Sequence, residues 1–130
     1  MEHTIRIAVS IIQRHRQVLL VQRSLKEDSL NWQFPAGKLE LGEDPFNTAE
    51  REVYEETGVQ CKAIENIGCR KSPINNVYIY YIFCKYIKGK EFLKDRRQNK
   101  AIKWVNIDEI KSYIPTNLYH GIELYLNIKT

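Results

Sequence analysis

The chain has little of what small zinc-binding or disulfide-linked domains depend on, since its 130 residues include only three cysteines and three histidines. Cys61, Cys69 and Cys84 are unevenly spaced and form no Cys-x-x-Cys pair, which argues against a disulfide framework or a zinc site. We therefore expect free thiols, for which a reducing cytoplasm is the simplest location.

Long hydrophobic runs are missing as well. No stretch of about 18 apolar residues occurs, so the sequence predicts no transmembrane helix and no membrane partner. Residues 1–12 alternate between apolar and polar side chains and lack the pattern of a secretory signal peptide. Because no repeat, low-complexity tract or linker interrupts the chain, we expect a single domain over residues 1–130.

The charge balance is mildly basic. There are 20 Lys and Arg residues against 16 Asp and Glu, which gives a formal net charge of +4 and a pI of about 8.9. Such a surplus attracts polyanionic ligands at long range, but the sequence lacks the dense basic patch of a nucleic-acid-binding domain. Nothing in the composition indicates an oligomeric state.

Hydrophobic periodicity predicts several strands and a few helices. Strands are predicted over residues 5–11, 18–21, 32–34, 60–71, 77–87 and 101–105. Residues 24–31 are predicted as a loop, and 35–37 as a tight, irregular turn. Because the strands do not alternate regularly with helices, we predict an α+β fold, an α/β/α sandwich around a mixed sheet.

The clearest helix signal covers residues 45–57. Asp44 is a suitable N-cap, Pro45 suits the first helical position, and Gly58 is a natural C-cap. The inward-facing stripe of this helix is predicted to contain Phe46, Ala49 and Val53. Two shorter helices are predicted over 106–111 and 118–128, the second with Leu118, Ile122, Tyr125 and Leu126 on its apolar side.

Three glutamates share one face of the long helix. Glu52, Glu55 and Glu56 lie at i, i+3 and i+4, and like charges at this spacing are destabilising unless a positive charge lies nearby. A hard divalent cation such as Mg²⁺ or Mn²⁺ prefers carboxylate oxygens and would neutralise them. The alternative is an ordinary solvated acidic face, which surface helices often have.

The wider spacing separates these two interpretations. Gly37 is followed after five residues by Glu43, and after seven more by Arg51-Glu52-Val53-Tyr54-Glu55-Glu56-Thr57-Gly58-Val59. This pattern resembles the Nudix box at every specified position. The resemblance implies the Nudix fold and an enzyme that uses Mg²⁺, or Mn²⁺ in its place, to hydrolyse a phosphoanhydride bond of a nucleotide-like substrate.

The resemblance also implies roles for individual residues. Glu52, Glu55, Glu56 and the Gly37 carbonyl would be metal ligands, with one glutamate, most often the one matching Glu52, accepting a proton from water. Arg51 would hold Glu52 through a charge-assisted hydrogen bond. Glu43 would brace the loop or the outer metal shell. Gly42 and Gly58 would provide the backbone geometry.

A finer resemblance concerns the substrate. Residues 32–38 and Asn117 are similar to the MutT-type nucleoside triphosphate pyrophosphohydrolases. This implies that Phe34 and Asn117 contact a base, that Arg23 contacts phosphate, and that Lys38 belongs to the substrate site. The alternatives are a core position for Phe34, a helix-capping role for Asn117 and an ordinary strand-end cation at Arg23.

One departure from the MutT-like pattern lies before the last strand. MutT-like members often supply a further glutamate there, where this chain has Gln98. Either Glu91 or Asp95 would take its place, or the additional metal would be held differently. The basic run 94–100 is either a solvated loop or a guide for a polyphosphate or an RNA 5′ end.

Three hypotheses follow in order. The first is a nucleoside triphosphate pyrophosphohydrolase that acts on a small nucleotide. The second is a Nudix hydrolase of another class, acting on ADP-ribose, a nucleotide sugar or an RNA 5′ end, of which RNA is possible but not favoured. The third is a non-enzymatic nucleotide-sensing module with the same fold.

Overall fold

The computed structural model of the protein describes residues 4–24, 30–94, 96, 99–115 and 118–127. The strands are β1 (Ile5–Arg14), β2 (Gln17–Ser24), β3 (Leu30–Gln33), β4 (Ala36–Lys38), β5 (Gln60–Lys71), β6 (Val77–Lys88) and β7 (Asn99–Asn106). The helices are α1 (Pro45–Thr57), a 3₁₀ turn (Ile107–Glu109), α2 (Ile110–Tyr113) and α3 (His120–Leu126).

The strands form a mixed sheet in the order β3-β2-β1-β6-β5, with β4 paired to β1 and β7 paired to β2. The β1–β6 pair is parallel and the other pairs are antiparallel. Next to their connecting turn, β1 and β2 pair at Gln13–Val18 and Arg14–Gln17. Nearer its start, β1 pairs instead with β4, which places Gly37 opposite Ala8.

Helices pack on both faces of this sheet. Alternate residues of β1 face opposite ways, so Ala8 and Ile12 join one buried cluster and Ile11 joins another. The first cluster contains Ala49 and Val53 of α1. The second contains residues of α2 and α3. This arrangement confirms the predicted α+β class, with a mixed sheet between layers of helix.

Helix α1 has the bounds and caps that its sequence predicts. The Asp44 side chain accepts a hydrogen bond from the Asn47 backbone N–H at 2.8 Å, and Pro45 starts the helix. Gly58 ends it in the left-handed conformation with φ of 76°, where a side chain would add strain. The caps therefore determine where the helix that carries the glutamates begins and ends.

Two packing predictions were wrong. Phe46 is 36% exposed, because the first turn of α1 projects beyond the cluster that contains Ala49. Tyr125 is 40% exposed and packs at the rim, with its ring 4.7 Å from that of Phe83. By contrast, the prediction that Ile122 faces the core is confirmed, since it is buried.

The loop predictions also need correction. Strand β3 already begins at Leu30, within the predicted loop 24–31. The predicted irregular turn at 35–37 contains the start of β4, because β2 pairs with β1 only beside their turn and leaves the first half of β1 available to β4. Helix α3 covers His120–Leu126 and is shorter than predicted at its start.

Two further predictions from the sequence were free thiols and no transmembrane helix. The three cysteines have free thiols, with Cys61 and Cys84 buried and Cys69 exposed. Among the described residues, no helix is long and apolar enough to cross a bilayer.

Candidate active site

Arg51 connects the acidic residues on and around α1. Its Nε and Nη2 donate to the two carboxylate oxygens of Glu43 at 2.7 and 2.9 Å. Its Nη1 donates to Glu52 at 2.7 Å and to Glu55 at 3.1 Å. Nη2 also donates to the Lys38 carbonyl at 3.2 Å. One guanidinium therefore ties the helix to both ends of the preceding segment through charge-assisted bonds.

Three neighbours hold the Glu43 carboxylate in place. Besides Arg51, it accepts hydrogen bonds from the Glu40 backbone N–H at 3.0 Å and from the Thr48 hydroxyl at 2.7 Å. The Arg51 hydrogen bond outweighs partial burial and lowers the pKa of Glu43 to about 2. Glu43 therefore joins the loop before α1 to the helix, and its role in catalysis stays a prediction.

Glu56 has the opposite environment. It is 9% exposed, and its Oε2 atom is buried without a hydrogen-bond partner. Burial raises its pKa to about 7, with a smaller contribution from the charge of Glu52, while Arg23 and the Ala36 backbone N–H act against the rise. An anionic Glu56 thus needs a positive partner that the protein only partly supplies.

Glu52 and Glu55 differ in exposure on the same helical face. Burial raises the pKa of Glu52, and the hydrogen bond and charge of Arg51 oppose that rise. The Glu55 side chain is 55% exposed and lies at the outer edge. Glu50 is directed elsewhere, since its carboxylate accepts a hydrogen bond from the Ala63 backbone N–H at 2.8 Å and ties α1 to β5.

Gly37 is required by the close approach of β4 to α1. A Cβ atom added at this position would overlap the Glu52 side chain. The backbone of β4 therefore lies directly beside a carboxylate of the helix. Gly42 has φ of +80° in the intervening loop, a conformation that favours glycine.

These residues surround a cavity of about 410 Å³, which we call the carboxylate cavity. It is lined by Ile5, Ile7, Arg23, Ala36, Gly37, Lys38, Glu52 and Glu56. The structure thus brings together two predicted substrate residues, Arg23 and Lys38, with three of the predicted metal ligands, Gly37, Glu52 and Glu56. Cations and carboxylates face one space that has room for a phosphate chain.

The donor set of the carboxylate cavity suits a hard divalent cation. Carboxylate and backbone carbonyl oxygens are the ligands that Mg²⁺ and Mn²⁺ prefer, and the buried, unpartnered Oε2 of Glu56 is an acceptor in need of charge. Within the described ranges, no three acidic, histidine or cysteine side chains converge into a formed metal site. Glu52 and Glu55 are instead paired with Arg51.

A second cavity, of about 300 Å³, adjoins the first. We call it the aromatic cavity, because Trp32, Phe34, Tyr81 and Tyr119 line it. Ala36 lines both cavities, so they meet at this residue of β4. Phe34 is 5% exposed and is both a core residue and a wall of this cavity, so its two interpretations are compatible.

Some predicted residues lie elsewhere. Glu91 accepts a hydrogen bond from the Trp104 indole N–H at 3.0 Å, which commits it to packing. Asn117, Asp95 and Gln98 lie outside the described residues. The sequence analysis assigned no binding role to Arg70, which also lines the aromatic cavity. The available signal was indirect: alternation along β6 places Tyr81 on the opposite face from Tyr80, and that face is the one that lines the cavity.

Comparison with known proteins identifies the family. The model of the NUDIX domain matches residues 1–124. The chain therefore belongs to the Nudix hydrolase family, which confirms the family and the hydrolase class that the box spacing predicts. Members of this family generally use divalent metal ions.

Curated relatives share most of this chain. A methanol dehydrogenase activator from Bacillus methanolicus is 42% identical, over 83% of this chain and 61% of that protein. A putative 8-oxo-dGTP diphosphatase from Bacillus subtilis is 27% identical, over 92% and 77%. Putative nudix hydrolase 1 from Caenorhabditis elegans is 31% identical over 82% of this chain, which spans 30% of that longer protein.

Solved structures show the same fold. A Nudix hydrolase from Nitrosomonas europaea superposes with a TM-score of 0.85 at 19% identity, over 98% of this chain and 72% of that one. An ADP-ribose pyrophosphatase from Streptococcus suis gives a TM-score of 0.69 at 20% identity, over 95% and 89%. The named substrates of these proteins differ, so the substrate of this chain is argued from its own site.

Proposed function

We propose that this protein is a Mg²⁺-dependent, MutT-like pyrophosphohydrolase that converts a nucleoside triphosphate to a monophosphate and pyrophosphate. The observation that carries the proposal is the buried, unpartnered Oε2 of Glu56 beside Glu52, in a cavity that also contains Arg23 and Lys38. The name of the Bacillus subtilis relative supports a nucleoside triphosphate substrate.

In this proposal, Glu52, Glu55, Glu56 and the Gly37 carbonyl hold the metal. Mn²⁺ substitutes for Mg²⁺, because both prefer oxygen ligands. When bound, the cation neutralises phosphate charge and makes an attacking water more acidic. Arg51 keeps Glu52 oriented through its 2.7 Å hydrogen bond, while Glu43 holds Arg51 from the other side.

The proposed reaction is a single displacement at phosphorus. The oxygen of a water molecule forms a bond to phosphorus as the anhydride P–O bond breaks, and pyrophosphate leaves with the bonding electron pair. Glu52 accepts the proton of the water, since Arg51 fixes its orientation in the cavity. Arg23 and Lys38 offset the negative charge of the phosphates. Catalysis by positioning and charge requires no covalent intermediate.

The adjoining aromatic cavity is the place for the nucleoside. Phosphates in the carboxylate cavity direct the base past Ala36 toward Phe34, the residue that the sequence predicted as a base contact. Aromatic walls favour a flat, apolar ring over further charged groups.

The test is a hydrolysis screen of the purified protein with Mg²⁺ or Mn²⁺. The panel contains ordinary and oxidised nucleoside triphosphates, ADP-ribose, a nucleotide sugar and a 5′-triphosphorylated RNA, and products are separated by chromatography. We expect a nucleoside monophosphate and pyrophosphate, and no turnover when the metal is chelated.

The product pattern decides between the alternatives. Cleavage of ADP-ribose or the nucleotide sugar alone would replace the proposal with a diphosphate-conjugate hydrolase, and cleavage of the RNA alone with an RNA 5′-end hydrolase. Absence of turnover on the whole panel, with saturable nucleotide binding, would establish a nucleotide-sensing module instead.

A further inference from the structure

The aromatic cavity contains a stacked pair of tyrosines. The rings of Tyr81 on β6 and Tyr119 before α3 lie 4.0 Å apart at an interplanar angle of 4°. Tyr81 is buried, at 5% exposure, so the pair forms a fixed flat wall rather than a surface contact. Such a wall offers van der Waals contact to another planar ring.

The position of this wall depends on a glycine in the neighbouring strand. Gly68 on β5 is paired with Tyr81 on β6. A Cβ atom at Gly68 would overlap the Tyr119 ring and its hydroxyl group. Because glycine has no side chain, Gly68 leaves the space in which the Tyr119 ring stacks on Tyr81.

Arg70 follows on the same face of β5. It is paired with Ile79, and Ile79 and Tyr81 both line the cavity, so the register directs Arg70 to the cavity mouth. Its guanidinium carbon lies 5.9 Å from the centre of the Tyr119 ring. Of the cavity-lining residues that the structure describes, Arg70 alone carries a formal charge.

A guanidinium is a fork of donors with no acceptor, so it recognises a ring edge that presents acceptors. Guanine presents two adjacent acceptors, N7 and O6, whereas adenine presents an acceptor and a donor at the same edge. We propose that Arg70 is a specificity-determining residue that selects a 6-oxopurine base lying against the Tyr81–Tyr119 wall. This inference rests on the proposed function, because it assumes that a nucleotide occupies both cavities.

A phosphate is a poorer fit for Arg70. The cations that face the carboxylates are Arg23 and Lys38, in the other cavity. Around Arg70 the lining is aromatic and aliphatic, with neutral amides from Asn31 and Gln33. A lone cation among rings and neutral amides suits an uncharged heterocycle better than a dianion.

The first experiment measures binding without metal or turnover. Trp32 lines the cavity, so tryptophan fluorescence can follow titration with dGMP, dIMP and dAMP. Inosine keeps N7 and O6 but lacks the guanine amino group, and therefore isolates the edge assigned to Arg70. We expect dGMP and dIMP to bind at least about tenfold more tightly than dAMP.

The variants are Arg70→Met, which removes every donor, and Arg70→Lys, which keeps the charge without the fork. The matched control is Lys71→Met, since Lys71 is the next residue on β5 and faces away from the cavity, beside Tyr78. Arg70→Met should reduce the preference over dAMP to about twofold or less, with Arg70→Lys losing most of it. Lys71→Met should retain it.

Kinetics on dGTP, dITP and dATP complete the test. We expect Arg70→Met to raise the KM for dGTP and dITP by about tenfold, and to leave kcat and the melting temperature close to wild type. An unchanged dGTP/dATP ratio, or an equal loss on all three, would overturn the assignment while leaving the proposed function intact. Wild-type protein that neither binds nor cleaves any nucleotide would instead overturn the proposed function itself.

Discussion

The two cavities are built in different ways. The acidic side chains of the carboxylate cavity, Glu52 and Glu56, belong to α1, and Glu52 is held by Arg51, which Glu43 holds in turn. The aromatic cavity draws its walls from β3, β5, β6 and the segment before α3, which are distant in sequence. Under the proposed function, reaction chemistry and base selection are therefore encoded separately, so a substitution in one cavity should change one kinetic parameter and spare the other.

The largest effect should come from Glu56. Replacing it with Gln preserves shape but removes the charge from a buried, unpartnered oxygen. In the proposed mechanism, metal binding and water activation both need that charge, so kcat should fall by about a thousandfold. At pH 8, above the raised pKa of about 7, the metal-free variant should be at least as stable as wild type, since a buried anion is removed.

A matched control lies in the same helix. Glu50→Gln removes an equal charge, and the amide oxygen can still accept the hydrogen bond from the Ala63 N–H. Turnover and thermal unfolding of the two variants should be measured side by side. Full activity in Glu56→Gln, or an equal loss in Glu50→Gln, would show that charge at the cavity is not what matters.

The second prediction concerns Gly37→Ala. The added Cβ overlaps the Glu52 side chain, so the carboxylate must move out of its bond to Arg51. A displacement of about 1 Å at a reacting group can cost on the order of a hundredfold in rate, so kcat should fall by that order while binding of a nucleoside monophosphate is retained. Retained kcat would contradict the assigned position of Glu52.

The third prediction concerns the loss of stability at low pH that follows when Glu43 is protonated. The pKa of Glu43 is lowered from 4.5 to about 2, so its contribution to stability is present above pH 4.5 and is lost as pH falls toward 2. We expect this to remove about 2 kcal/mol of unfolding free energy over that window, measured by urea titration at each pH. Glu43→Gln should be less stable at pH 6 and show a shallower acid loss.

A carboxylate away from the network provides the reference for this slope. Glu65→Gln removes an equal charge from an exposed residue of β5 outside the Arg51 network and is the charge-matched control. If Glu43→Gln kept the wild-type slope, Arg51 and Glu43 would not be the ion pair that holds the loop against α1.

The two cavities also differ in how well the sequence predicts them. The helix and its caps were predicted because covalent spacing alone determines which side chains share a helical face. The aromatic cavity was not, because the position of Arg70 depends on a β5–β6 register that no local pattern specifies. Phe46 shows the limit within the helix, since periodicity identifies the stripe but not where the core beneath it ends.

The smallest effect should come from Gly68→Ala, the counterpart of Gly37→Ala in the other cavity. Its Cβ would overlap Tyr119 and push that ring off Tyr81, in the cavity that contains no carboxylate among its described lining residues. Loss of one aromatic contact should raise the nucleotide KM by about three- to tenfold and leave kcat within about twofold. Steady-state kinetics of both glycine variants on one substrate would measure the contrast directly. If Gly68→Ala lowered kcat as Gly37→Ala does, the two cavities would form one catalytic unit, and the separation between chemistry and selection would be wrong.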